Sequence, residues 1–161
     1  MKSKLAALPI IFAALMFAVT AQAQKAEVFA GYQYSHLDPS FNASGWNGSV
    51  TGNIGSFLGV TADVSGVYKS GTKFYTYTFG PEVHAPLPLI KPFVHALFGG
   101  ATATDGGPSS NGFAMYIGGG VDMGHGLIGW RLVQVDWLHT RFSGVNDNKN
   151  TRISTGLLLR F

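Results

Sequence analysis

Apolar and polar residues alternate one by one along nearly the whole chain, a period of two that suits extended strands and gives a helix no single apolar face. Between Glu27 and Ser35 one row holds Val28, Ala30, Tyr32 and Tyr34, and the other Glu27, Phe29, Gly31, Gln33 and Ser35. Trp46, Val50 and Ile54 alternate with Asn47, Ser49, Thr51 and Asn53, and Leu58, Val60, Ala62 and Val64 with Gly59, Thr61, Asp63 and Ser65. Tyr75, Tyr77, Phe79 and Val83 stand opposite Thr76, Thr78, Glu82 and His84, and Phe113, Met115, Ile117 and Val121 opposite Ala114, Gly118, Gly120 and Asp122. Val133, Val135 and Trp137 oppose Gln134, Asp136 and Thr140. In PFVHALFGGATAT, His95 shares a row with Phe93 and Leu97, so the outward row there is Val94, Ala96 and Phe98.

Water-soluble sheets alternate too, and composition separates the two cases. Charged residues make up 12 % of the chain, against about 25 % in ordinary soluble domains. Glycine (22 residues) and aromatics (13 %) are abundant instead, so the apolar row faces something other than water. Eight strands are predicted, near residues 26–37, 45–55, 57–69, 73–84, 92–104, 112–124, 129–142 and 150–161. Eight brings both chain ends to one side. The linkers alternate between polar loops (LDPSFNAS, KSGTK, TDGGPSSNG, SGVNDNKN) and tight or proline-stiffened turns (GS, HAPLPLIK, GHGLIG). Strands of this length, tilted near 40°, cross an apolar band of ~25 Å. Closure into a barrel leaves no unpaired edge in lipid, where water cannot satisfy the backbone. The predicted fold is all-β, an eight-stranded antiparallel up-and-down transmembrane β-barrel. Tyr34, Trp46, Tyr68 and Tyr75 fall near the external ends of four successive strands, as one side of an interfacial girdle does.

At the N-terminus Lys2 and Lys4 precede the apolar run LAALPIIFAALMFAV, and Ala21-Gln22-Ala23 follows with small residues at the required spacing. This is a secretory signal peptide over residues 1–23, with the barrel domain over 24–161. The run is shorter than the ~20 apolar residues of a spanning helix. Without the two leader lysines the remaining 138 residues carry nine basic and eight acidic side chains, a balance that gives no nucleic-acid signature. No cysteine is present, which excludes disulfides and thiol chemistry.

The chain ends as RISTGLLLRF, with Ile153, Thr155, Leu157, Leu159 and Phe161 in one row. Ser154-x-Gly156-x-x-Leu159-x-Phe161 resembles the C-terminal assembly signal of outer-membrane barrels. The resemblance is closest to compact proteins carrying VQVDWLxTRF and RxSxG in the last hairpin, here Val133 to Phe142 and Arg152 to Gly156. The chain is similar to the transmembrane barrel of the OmpA and OmpX family, without a periplasmic peptidoglycan-binding domain. That resemblance implies a Gram-negative outer-membrane location and contact with outer-membrane lipid and lipopolysaccharide. It also implies help from the barrel-assembly machinery and periplasmic chaperones, a monomeric state, and no cofactor.

The residues offer little for catalysis. Lipid A deacylases of this architecture pair a His with a Ser two positions on, and none of His36, His84, His95, His125 or His139 has that neighbour; no catalytic, cofactor or metal residue is assigned. Gly118 to Gly120 precede no helix, so they relieve crowding rather than bind phosphate, and APLPLIKP is a stiff turn. The inward row supplies a candidate polar network of Glu27, Asp63, Glu82 and His95, with Asp122, Asp136, Arg152 and Arg160, and His84 beside it. An eight-stranded barrel is wide enough only for its own side chains, so these charges are expected to pair. Two arrangements are specific: Glu82 and Asp122 on either side of His95, and Glu27 paired with Arg160 across the closing seam. Lys69, Lys73, Arg141, Lys149 and Arg152 are expected at the external rim, within reach of lipid phosphates. The functional expectation is a structural or surface-interaction protein with a plugged lumen. The alternatives are a low-conductance porin-like channel and a lipocalin-like soluble barrel, whose interior would be the apolar side.

Overall fold

The computed structural model describes residues 26–37, 41–142 and 145–161. The predicted leader, its cleavage site after Ala23, and parts of two predicted polar loops (38–40 and 143–144) lie outside the described residues, as do the side chains of 41 and 145–148. Eight strands follow in order: β1 (Ala26–Leu37), β2 (Phe41–Ile54), β3 (Leu58–Lys69), β4 (Thr72–His84), β5 (Ile90–Asp105), β6 (Ser110–His125), β7 (Ile128–Phe142) and β8 (Val145–Arg160). Each pairs antiparallel with its sequence neighbours and β8 returns to β1, so the sheet is a closed up-and-down barrel. Along the seam Glu27 lies opposite Arg160 and Val28 opposite Leu159, and Ala26 and Phe161 exchange main-chain hydrogen bonds of 3.1 and 2.7 Å. The start of β1, the end of β8 and the turns after β2, β4 and β6 share what we call the terminal end; the other connections form the distal end.

Several strands run further than alternation indicates. β2 starts at Phe41, β5 runs from Ile90 to Asp105, β6 starts at Ser110 and β8 at Val145. The polar loops LDPSFNAS, TDGGPSSNG and SGVNDNKN are therefore partly strand. The physical reason is that a ladder beyond the apolar band needs only backbone partners, and hydrophobic alternation does not mark it.

The rows fall where alternation puts them. Val50, Val64, Phe79, Val94, Val135 and Leu157 are exposed on the outside, while Asn47, Asp63, Thr78, His95 and Arg152 are buried inside. β7 departs from the rule at its start. A register shift between Arg131 and Gln134 leaves Leu132 and Val133 both facing out and turns Arg131 inward, as a bulge does.

The interior is polar towards the terminal end. Towards the distal end Leu97, Ala101, Ala114, Tyr116 and Leu138 form a buried apolar cluster, joined by Leu37, Phe74 and Phe142, beside buried Ser65, Thr76, Thr140 and Asn150. Gly118 and Gly120 make room for inward side chains. A β-carbon at Gly118 would stand 2.2 Å from Asp136 Oδ1, and one at Gly120 2.9 Å from Phe93 Cζ.

Candidate functional site: the barrel interior and its open end

Three cations organise the interior, and two of them, Arg152 and Lys91, reach across it to strands that are not their neighbours. Arg152 of β8 is fully buried. Its Nη1 donates to Asp63 Oδ1 of β3 at 2.7 Å, its Nη2 lies 2.6 Å from Asp136 Oδ2 of β7, and its guanidinium sits 3.9 Å above the Tyr116 ring of β6. Asp136 also accepts from Gln134 Nε2 at 2.7 Å and contacts His95 Nε2 at 2.8 Å, and Asp63 accepts from Asn47 Nδ2 at 2.8 Å. Each carboxylate thus accepts from several donors, and the planar fork suits two of them at once.

Arg131 makes the second layer. Its Nε and Nη2 donate to the two oxygens of Asp122 at 2.7 and 3.0 Å and its Nη1 to Gln134 Oε1 at 2.7 Å. The guanidinium lies between Phe29 of β1 (4.4 Å) and Phe93 of β5 (4.2 Å), so two ring faces replace water around it. Lys91 makes the third, at the terminal end: Nζ is 2.7 Å from both oxygens of Glu27 on the opposite wall. Arg160 Nε is 3.8 Å from Glu27 Oε1, and its Nη1 donates to the Gly124 carbonyl at 3.1 Å.

Two predicted arrangements change in detail. The seam places Glu27 opposite Arg160 as expected, but Lys91 is the principal partner and Arg160 a distant second. The carboxylates beside His95 are Asp136 and Glu82, the latter 4.0 Å from His95 Nδ1. Asp122 is not one of them, because Arg131 holds both its oxygens. Glu82 accepts from Thr61 Oγ1 at 2.9 Å. It turns one oxygen towards His84, at 3.7 Å, and the other towards His95, and among the described residues no three acidic or imidazole side chains close around a common point that would hold a metal. Arg152 is absent from the rim, because β8 turns it inward to its carboxylates; Lys69, Lys73, Arg141 and Lys149 are exposed. Lys91, Arg131 and Tyr116 also belong to the interior, where alternation did not mark them, whereas Gln134 lies on the inward row as expected.

At the distal rim Trp46 Nε1 donates to Tyr68 OH at 3.1 Å and Tyr75 OH donates to it at 3.2 Å, with the two tyrosine rings edge to face at 5.8 Å; Tyr34 is exposed beside them on β1. Of the tail residues, Ser154 is buried inside, Gly156 meets Gly31 across the seam, and Leu159 and Phe161 face out. At the terminal end a cavity of about 1420 Å3 opens over Glu27 and Lys91.

No family model matches the sequence, and no curated protein matches it significantly. Solved structures do. Neisserial surface protein A superposes with a TM-score of 0.61 at 16 % identity, covering 85 % of this chain and 96 % of that one. Its fold is that of the small eight-stranded outer-membrane barrels. The N-terminal β-barrel domain of Pseudomonas aeruginosa OprF aligns over 87 % of this chain and all of that one, with a TM-score of 0.61 at 11 % identity. Ail, the attachment invasion locus protein of Yersinia pestis, gives 0.55 at 16 % identity over 87 % of this chain and all of that one. At these identities the barrel is shared and the interior chemistry is this chain's own.

Proposed function

We propose that the chain is an integral outer-membrane protein, exported by its leader, whose barrel is a rigid mount for the distal surface and is plugged by its own side chains. The observation that carries this reading is the pairing of interior charges across the bore by Arg152 and Lys91 and between neighbouring strands by Arg131, followed distally by the buried cluster around Leu97, Tyr116 and Leu138. Ions crossing such an interior would have to break buried, multiply bonded pairs and then pass the packed side chains around Tyr116. The exposed outer rows supply the apolar band and the Trp46–Tyr68–Tyr75 group an interfacial girdle, which supports a membrane rather than a soluble barrel. Ail is named for attachment and invasion, and a surface-interaction role of that class is our reading for this chain, with lipopolysaccharide phosphates reached by Lys73 and Arg141. We assign the protein no enzymatic activity and no cofactor, and treat it as a monomer that binds no nucleic acid. Ser154, Gly156, Leu159 and Phe161 are proposed to present the assembly signal to chaperones and the barrel-assembly machinery.

The test combines location and conductance. The protein is expected in the outer-membrane fraction, extracted only by detergent and with heat-modifiable gel mobility, and the purified barrel is expected to be silent in planar bilayers. Recovery in the soluble fraction would overturn the membrane reading. Steady ohmic steps would overturn the plugged lumen and favour the low-conductance channel.

A further inference from the structure

Charge bounds the outer surface at one end only. At the distal end Lys69, Lys73, Asp105, Arg141 and Lys149 are exposed, beyond the Trp46–Tyr68–Tyr75 girdle. Between that girdle and the terminal turns, no Lys, Arg, Asp or Glu among the described residues stands on an outward row. The turns themselves, residues 55–57, 85–89 and 126–127, contain none either. They carry Phe57, Leu89 and Leu127, exposed by 62, 65 and 56 %. Those values match the outward row of the wall, where Phe79 and Val94 are exposed by 67 and 61 %. None of the three lines the terminal cavity, so they continue the outer surface and not the bore.

The main chain of these turns is bonded as an apolar setting requires. The carbonyls of the same three residues accept from neighbouring strands: Phe57 from His84 N at 2.9 Å, Leu89 from Gly124 N at 3.3 Å and Leu127 from Arg160 N at 2.8 Å. In the longest turn Ala85 N donates to the Pro92 carbonyl at 3.0 Å and Leu87 N to that of Ile90 at 3.1 Å. Pro86 and Pro88, between and after them, have no N–H to satisfy. Length agrees with this. At ~3.3 Å per residue and a tilt near 40°, an apolar band of ~25 Å takes about ten residues. The same count from Tyr68 reaches Leu58, from Trp46 it reaches Ser56, and from Tyr75 it reaches Ala85. With the distal girdle at one edge of the band, the turns stand at the other.

The five tyrosines of the outer row, Tyr32, Tyr34, Tyr68, Tyr75 and Tyr77, all lie in the distal halves of their strands. The terminal end therefore needs another anchor. A surface that stays apolar to its tips, with its backbone already bonded, complements lipid; a protein partner would meet a polar rim. We propose that the three terminal turns are immersed in the membrane, at the boundary between acyl chains and head groups, where Phe57, Leu89 and Leu127 anchor the end of the barrel that lacks tyrosine. The mouth on this side is then level with the head groups instead of standing clear in water. The proposal rests on the membrane reading given above.

Because the chain has no cysteine, a single introduced cysteine carries a nitroxide label at one defined site. Phe57→Cys, Leu89→Cys and Leu127→Cys are labelled and folded into phosphatidylcholine bilayers, with Val64→Cys as the mid-wall reference and Lys73→Cys as the aqueous one. Collision of each label with oxygen, which concentrates in lipid, is compared with collision with a neutral nickel chelate, which concentrates in water. The oxygen-to-nickel ratio at the three turns is expected to exceed that of the Lys73→Cys label by about fivefold or more and to stay below that of Val64→Cys. Turn labels as open to nickel as Lys73→Cys, with Val64→Cys still in lipid, would overturn the proposal and leave the membrane reading intact. Nickel access at Val64→Cys as well would overturn both. Dipolar broadening of the turn labels at a high lipid-to-protein ratio would assign this face to a second copy of the chain and overturn the proposal too. Heat-modifiable mobility is read on every sample, and since the three turns are separate sites, a variant that fails to fold leaves the other two to decide.

Discussion

Lys91 reaches from β5 to the opposite wall and holds Glu27 through both oxygens, while Arg160, the register neighbour of Glu27, stays 3.8 Å away. The two cations therefore carry unequal weight. Lys91→Met leaves a largely buried carboxylate with only Asn53 and the distant Arg160, and is expected to cost about 1–3 kcal/mol. That lies below the ~3–5 kcal/mol of fully enclosed pairs, because the cavity admits water. Arg160→Leu keeps the Lys91 pair and is expected to cost less than about 1 kcal/mol. Urea unfolding in a fixed lipid checks the order; equal losses, or a larger loss for Arg160→Leu, would show that the seam pair dominates. The sequence placed Glu27 and Arg160 at the seam through the parity of β1 and β8 alone. Lys91 was hidden by its setting, between prolines at 88 and 92, where the residue type reads as turn although the strand has already resumed at Ile90.

At the scale of the strand, period two was the legible quantity, because lipid outside and a narrow bore inside impose opposite chemistry on successive side chains. Val64 and Leu157 are both exposed on the outer row. Arginine at either position, if near the middle of the bilayer, is expected to destabilise the folded barrel by ~2–4 kcal/mol; tolerance of both by urea unfolding in bilayers would mean that the outer face meets water. Parity also carried Asp63, Glu82, Asp122, Asp136 and Arg152 inward, although it said nothing of who pairs with whom. Partners such as Asp63 and Arg152 lie 89 residues apart and meet only because the barrel closes. Arg131 shows where parity fails. Counted strictly it shares the row of Val133 and Val135, and the bulge that reverses it has no marker in the sequence WRLVQ. Strand ends were illegible for a related reason: beyond the apolar band the ladder continues on backbone bonds, as in the polar stretch from Val145 to Asn150.

For the molecule as a whole, the last strand has to close the barrel and, on our reading, to be recognised before it does so. Phe161 bears on both. Its main chain exchanges two hydrogen bonds with Ala26, while its ring faces outward and is 65 % exposed. These roles separate experimentally because they reside in different atoms. Phe161→Ala keeps the backbone bonds and removes only the ring, whereas deletion removes both. If the ring is part of the assembly signal, Phe161→Ala should lower outer-membrane levels in cells almost as far as deletion does, while the purified variant refolds in vitro to the same heat-modifiable form as the parent. A deletion of equal size in SGVNDNKN, at the other end of the barrel, should leave outer-membrane levels near those of the parent. Normal levels for Phe161→Ala with reduced levels only for the deletion would assign the residue to seam closure through its backbone. Poor refolding of Phe161→Ala in vitro would show that the ring stabilises the barrel itself, and would remove the ground for reading the tail as a signal.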